Sequence, residues 1–406
     1  MEELRNVTST ESSRRTFLRL GAGISAALAS GFVNESVLAA VEWPKAFPKG
    51  AVVIDANENP LGPSAEAREA VAKAAENGGR YSRWLTEDLV EQFAKQEGLK
   101  PEYIRAYPGS SLPLHYSVLA FTSPSRSYVT ADPGYEAGMY AAKISGARIV
   151  KVPLTKSYAH DVKAMTEVPD AGLLYICTPN NPTGTLTSHS DVEYALKNKP
   201  KGAILLLDEA YIHFSNGTPA LDFVKADQDI VVLRTFSKIY GMAGLRCGYS
   251  IARPDLQEKL ANFSGWNAMP VTAVQAASVS LSDPQLVPER KQINVRVRAG
   301  VFEWLDSRGY RYIPSETNFF MLETNQPAIE IRKALASHDV FVGRVWPSMP
   351  SHLRVTIGTG AEMERFQTAF LEVMNGKTPQ AKASQGPSRW IELDGVRIPN
   401  NRDFSV

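Results

Sequence analysis

Lys238 stands where a lysine could do chemistry. The stretch 232–248 reads VLRTFSKIYGMAGLRCG, so one amine follows an apolar run and sits among Thr235, Ser237 and Tyr240. Arg246 lies further on, beyond the glycines. A primary amine with a lowered pKa condenses with a carbonyl, and hydroxyls beside a guanidinium suit a phosphate. Taken alone, the stretch reads as a surface loop after a strand. The chemistry it would carry is an amine that holds a phosphorylated aldehyde.

Other loops could meet this one. The run ILLLDEAYIHF ends at Asp208, a carboxylate at the C-terminal end of a buried strand, where open α/β sheets bind ligands. A strand-end aspartate also serves as a turn or helix cap. Upstream, CTPNNPTG places Asn180, Asn181, Pro182 and Gly184 after another apolar run, an ordinary turn by itself. Three such loops after three strands could share one crevice.

The elements that must position them follow from the spacing of apolar residues. Helical periodicity covers 65–77, 87–98 and 112–121, the last opened by Gly109, Ser110 and Ser111. Continuous apolar runs near 129, 150, 174, 205 and 232 are short and β-branched, as in strands buried on both faces of a parallel sheet. Helical stretches between them give a βαβ rhythm. From about Pro284 a long charged helix leads to two strands, TNFFMLE and LRVTIGT, around a helix at 327–337. The fold class is therefore α/β, a large domain with a mostly parallel sheet between helices, plus a smaller α+β C-terminal domain. The expected divisions are 1–40 signal, 41–65 arm, 66–285 large domain, 286–376 small domain and 377–406 linker and tail. A hairpin is expected around Asp394 and Gly395.

The motifs TPNNPTG, LLLDEAYIHF, RTFSKIYGMAGLRCG, SETNFF and LRVTIGT resemble the fold type I aminotransferases that use pyridoxal 5'-phosphate. The arm DANENPLGPS resembles the histidinol-phosphate aminotransferase branch, and the resemblance runs from about Val53 to Asn375. It implies that Lys238 binds the cofactor aldehyde and later moves a proton at the substrate Cα. Asp208 would keep the pyridine nitrogen protonated, Tyr211 and Asn181 would hydrogen-bond the ring hydroxyl, and Tyr135 would stack on the ring. Ser110, Ser111, Thr235, Ser237 and Arg246 would hold the phosphate. Tyr81 would reach the phosphate of a neighbouring subunit, which implies a symmetric homodimer. Arg354 would clamp the substrate α-carboxylate, with Arg344 and Asn57 also binding substrate; for Arg344 a structural salt bridge is the competing reading. No metal is implied.

The resemblance has gaps. Ser111, Leu112 and Pro113 replace the acidic pair usual after the phosphate-binding Gly-Ser, and YSRWL stands where many relatives carry Tyr-Pro. Both weaken the case for histidinol phosphate as substrate. The expected activity is exchange of an α-amino group between an amino acid, or its conjugate, and a 2-oxo acid. A decarboxylase or cyclising dehydratase on the same scaffold, a cytoplasmic-type histidinol-phosphate aminotransferase and a non-catalytic binding protein are the alternatives.

Composition narrows the partners. The 406 residues allow two ordinary domains, and 44% apolar with 21% charged residues marks a globular chain. A formal net charge of +1 gives no reason to expect nucleic acid or an anionic membrane. The N-terminus differs from the rest: SSRRTFLR precedes LGAGISAALASGF, with small residues at VLAA. Ser13, Arg14, Arg15, Phe17 and Leu18 resemble the twin-arginine export pattern, and the apolar run is too short for a stable membrane span. Cleavage near Ala39 or Ala40 would place the mature enzyme in the periplasm or otherwise outside the cytoplasm. Cys177 and Cys247 lie in apolar surroundings and read as buried free thiols.

Overall fold

The computed structural model describes residues 46–265 and 268–376, and the backbone of 390–393 and 396–399. The expected signal at 1–40 and the expected linker after Gly376 lie outside the described residues.

Strand β1 (Val52–Ile54) follows the arm, and helices α1 (Ala65–Ala75) and α2 (Arg83–Glu97) lead to β2 (Ile104–Tyr107). Helix α3 (Ser111–Phe121), β3 (Ser127–Asp132), α4 (Ala137–Ser145), β4 (Ile149–Pro153), α5 (Val162–Thr166) and β5 (Ala171–Cys177) come next. Then follow α6 (His189–Asn198), β6 (Ile204–Asp208), α7 (Leu221–Lys225), β7 (Ile230–Thr235) and β8 (Gly248–Ile251). The seven strands from β2 to β8 form one sheet in the order β2-β8-β7-β6-β5-β3-β4. Pairing is parallel from β4 through to β7, while β8 runs antiparallel to both β7 and β2. Every residue of β5, β6 and β7 is buried, because helices cover both faces of a parallel sheet and no alternation can survive there.

Helices α8 (Pro254–Ser264) and α9 (Val271–Ser282) complete the large core. Helix α10 (Leu286–Asp306) begins in that core at Leu286 and ends in a second one at Val301 and Leu305. The second core is built on β9 (Tyr312–Ile313), β10 (Phe319–Glu323), α11 (Ala328–Ser337), β11 (Val340–Val342), β12 (His352–Thr356) and α12 (Gly360–Met374). Strand β1 belongs to this smaller unit: it pairs in parallel with β11, Val52 opposite Val340. The arm therefore crosses from the small unit to the large one between Asp55 and Asn59, directly over the ends of β6 and β7.

Two details differ from the expectations. Helix α2 starts at Arg83 rather than Glu87. Its first residue follows Ser82 in a left-handed conformation with no side-chain cap, so the sequence carried no start signal there. The strands Trp390–Leu393 and Val396–Pro399 do pair antiparallel, as the hairpin pattern suggested.

Candidate active site

The C-terminal ends of β5, β6 and β7 place Cys177, Asp208 and Thr235 side by side, at the edge where parallel sheets take ligands. A cavity of about 510 Å³ opens above them. It is lined by Asn57, Ser110, Ser111, Tyr135, Asn181, Asp208, Tyr211, Thr235, Ser237, Lys238, Arg246, Arg344 and Arg354. All the expected site residues except Tyr81 thus converge on one space. Tyr81 is 66% exposed and lies ahead of α2, outside the cavity.

One end of the cavity is built for an anion. Helix α3 opens there with no acidic residue in its first turn and no side chain capping Ser110, so its first N–H groups and dipole face the space. Thr235 donates to Ser237 Oγ at 2.9 Å, and Arg246 Nη1 donates to Ser237 Oγ at 3.3 Å. Arg246 adopts a left-handed φ of 64°, a strained conformation for a long side chain, and strain of this kind concentrates at functional sites. Gly109 is required beside it: a Cβ on that residue would overlap the Arg246 guanidinium.

The floor is Asp208, only 4% exposed. Its Oδ1 accepts the Ala210 N–H at 3.1 Å and its Oδ2 accepts the Tyr175 hydroxyl at 2.9 Å. Burial pushes this carboxyl up to about 6, while those two donors and Lys238 favour its charged form. The neighbouring Glu209 points away from the cavity. It accepts from Arg234 Nε at 2.9 Å and from the Ala220 N–H at 2.8 Å, and Arg234 Nη1 reaches Glu97 at 2.7 Å. That buried pair pins the turn after β6 so that Asp208, not Glu209, faces the site.

Lys238 is half-buried over the centre. Its Nζ donates to the Ala56 carbonyl at 3.2 Å and lies 5.6 Å from the Tyr211 ring centroid. Burial, then the Arg354 charge, and after them Arg246, bring this amine down to about 8. Tyr211 is held by Asn57, whose Nδ2 donates to the phenol oxygen at 3.1 Å. Asn57 Oδ1 in turn accepts from Thr356 Oγ1 at 3.3 Å. The polar groups of Asn57 are thus used to orient Tyr211, although the residue lines the cavity.

Opposite the anion end, Arg354 projects from β12 and is 7% exposed. Nη1 donates to Asn181 Oδ1 at 2.8 Å and Nη2 to the Asp55 carbonyl at 2.6 Å, whereas the buried Nε has no hydrogen-bond partner. Both contacts are with neutral groups, so the guanidinium charge is left for a ligand. Arg344 differs. It is paired with Glu136, and its guanidinium lies 4.4 Å from the Trp346 ring centroid. The structural salt bridge weighed for Arg344 is present, at the rim of the same cavity.

Tyr175, Glu136 and Trp346 escaped the reading of the sequence. Tyr175 sits two residues before Cys177 in the same strand and so shares its face, the one available hint. Cys177 and Cys247 are buried and free, as expected, and burial raises both thiols, Cys247 up to about 12. Neither is an available nucleophile.

Comparison with known proteins agrees with this geometry. Residues 50–370 match the family of class I and II aminotransferases. A histidinol-phosphate aminotransferase of Moorella thermoacetica is 32% identical over 337 residues, covering 80% of this chain and 86% of that protein. An aromatic amino acid aminotransferase of Cutibacterium acnes is 32% identical over 333 residues, covering 81% and 94% respectively. Among solved structures, the histidinol-phosphate aminotransferase of Sinorhizobium meliloti in complex with pyridoxal 5'-phosphate superposes with a TM-score of 0.76. It is 25% identical, over 85% of this chain and 95% of that one. The chain belongs to the class I and II aminotransferases, pyridoxal-phosphate enzymes of fold type I.

Proposed function

We propose that this aminotransferase works as a symmetric homodimer outside the cytoplasm, moving the α-amino group between an aromatic or imidazole amino acid, or its conjugate, and a 2-oxo acid. The observation that carries the reading is the placement of Lys238 between an anion cup and a guanidinium whose contacts are both neutral, with an acidic floor beneath.

The donor set fits pyridoxal phosphate. The first turn of α3, Ser237 and Arg246 suit its phosphate, Asp208 suits a protonated ring nitrogen, and Tyr211 lies within the same cavity for the ring oxygen. When bound, the cofactor supplies an aldehyde and an electron-withdrawing ring that makes the substrate Cα–H acidic. The chain supplies the rest. Lys238 Nζ would hold the cofactor aldehyde and, once the substrate amine has displaced it, would stand as a free amine placed to take the proton from the substrate Cα. Arg354 fixes the substrate carboxylate, which orients the Cα–H bond.

The side-chain class follows from charge. Glu136 already neutralises Arg344, and Leu114, Met139 and Tyr140 add an apolar wall. Relatives named for histidinol phosphate and for aromatic amino acids support the same class. For the dimer, the support is Tyr81, exposed and outside its own cavity, together with exposed Trp84, Tyr140 and Ile144. For export, the support is the Arg14-Arg15 leader. Among the described residues no helix is long and apolar enough to cross a membrane.

The deciding experiment supplies the purified enzyme and cofactor with a panel of amino acids and 2-oxoglutarate, and follows 2-oxo acid release. Release from phenylalanine, tyrosine or histidine is expected. Carbon dioxide or ammonia without a 2-oxo acid would make the protein a lyase instead. Export is tested separately by cell fractionation. Replacing Arg14 and Arg15 by lysine should strand the protein in the cytoplasm, and undiminished periplasmic recovery would overturn the assignment.

Capture of pyridoxal phosphate should report the Lys238 amine directly. Only the neutral amine attacks an aldehyde, so the stopped-flow capture rate by apoprotein should climb about tenfold per pH unit below the amine's pKa. It should then level off above about 8. A rate still climbing at pH 10 would mean that the site does not depress this lysine.

A further inference from the structure

Tyr175 is a phenol placed in the middle of an otherwise aliphatic strand, AGLLYIC, and is 1% exposed. A buried hydroxyl costs free energy unless it finds a partner. Here the partner is the Asp208 carboxylate, at 2.9 Å across the β5–β6 pairing. Phenylalanine would fill the same space without that bond, so what the hydroxyl adds to packing is aimed at one acidic oxygen. The ring is fixed in turn by its neighbours, including Tyr128 with ring centroids 6.2 Å apart.

We propose that Tyr175 is a positioning residue for the reaction: its hydroxyl holds Asp208 ionised and turned toward the cofactor ring nitrogen. The inference rests on the reading of Asp208 as the partner of that nitrogen. The geometry supports it in two ways. Each Asp208 oxygen accepts from a donor that keeps its proton, the Ala210 amide on Oδ1 and the Tyr175 phenol on Oδ2. A carboxyl proton would weaken one of these bonds, so the pair favours the carboxylate. The two bonds also fix the plane of the carboxylate, as supporting contacts do for other site groups.

Burial works against the ionised form, and the Tyr175 bond works for it. The phenol itself is driven well above its ordinary range by burial and by the Asp208 charge, so it remains a donor across the working pH range. The other groups around Asp208 are Lys238, which favours its charge, and Glu209, which opposes it. Cys177, Tyr128, Tyr135 and Tyr211 feel its charge as well.

The test measures pyridoxal phosphate binding to apoprotein between pH 5 and 9, without turnover. Binding to an ionised Asp208 weakens as pH falls through the carboxyl pKa. In Tyr175→Phe that acid limb should move up by about one pH unit, with the dissociation constant about tenfold higher at pH 5 and only about twofold higher at pH 7. Tyr128→Phe serves as a control, since the Tyr128 hydroxyl is equally buried while the Asp208 oxygens accept from Tyr175 and the Ala210 amide instead. It should leave both quantities unchanged. An acid limb that stays put in Tyr175→Phe, or that moves equally in Tyr128→Phe, overturns the proposal. Asp208→Asn separates the two layers of the argument. If it loses cofactor affinity while Tyr175→Phe does not, only the role of Tyr175 fails. If Asp208→Asn also binds normally, the reading of Asp208 fails with it. Should Tyr175→Phe not fold, 3-fluorotyrosine at the same position strengthens the donor while keeping the ring. The limb should then move to lower pH, and no movement again overturns the proposal.

Discussion

Lys238→Ala is expected to abolish transamination while leaving the fold intact. Among the described residues no other amine lines the centre of the cavity: the other cations there are the guanidiniums of Arg246 and Arg354, and Lys143 belongs to α4 at the wall. Losing the proton carrier alone costs about a hundredfold to ten-thousandfold, and losing the covalent hold on the cofactor adds to it. The apoprotein should not suffer. The folded-state pKa of Lys238, about 8, lies below its ordinary 10.5. A group depressed in this way contributes stability only at high pH, and that contribution disappears as pH falls through 8. At pH 7 the amine is therefore a burden on the fold, and alanine removes it. Thermal unfolding of the apo variant should match or exceed that of the wild type. Retained turnover would remove the basis for the whole assignment. Equal activity loss with a collapsed melting temperature would show that the lysine is structural.

Much of this arrangement was legible in the sequence because backbone geometry carries it. β5, β6 and β7 announce themselves as short, mostly apolar runs without alternation, and a parallel sheet puts their C-terminal ends on one edge. Once Asp208 and Lys238 sit after successive strands, their meeting needs no long-range information. The smaller unit was less legible. Nothing in Val52–Ile54 says that it pairs with β11, almost 290 residues away in the chain; that register depends on tertiary packing. Glu136 and Arg344 belong to the same class of contact, since only the closure of the small unit over α4 brings them together. Tyr175 was hidden for a different reason. A single tyrosine in an aliphatic strand reads as core, and only its hydroxyl's partner on the adjacent strand reveals otherwise.

Arg354→Ala should raise the KM for the amino acid substrate by about a hundredfold or more, as expected when one partner of a buried charge pair is truncated. The cofactor's visible band should be retained, because the Arg354 hydrogen bonds go to Asn181 and the Asp55 carbonyl and none reaches the anion end of the cavity. The guanidinium is buried, lies 5.3 Å from the Trp346 ring centroid and 5.8 Å from that of Phe319, and spends its bonds on an amide and a carbonyl. A charge desolvated this far is costly unless a counter-ion arrives. Burial accordingly lowers the pKa of Arg354. The substrate carboxylate would be that counter-ion, taken by two N–H groups in one plane. Arg354→Lys should therefore fail to restore binding, since an ammonium cannot present the planar fork. Isothermal titration with a non-reactive carboxylic acid analogue reads this without turnover. Wild-type affinity for the analogue in Arg354→Ala, or loss of the cofactor band, would mean that the substrate carboxylate binds elsewhere. Arg344 would then be the next candidate, freed by Glu136→Gln.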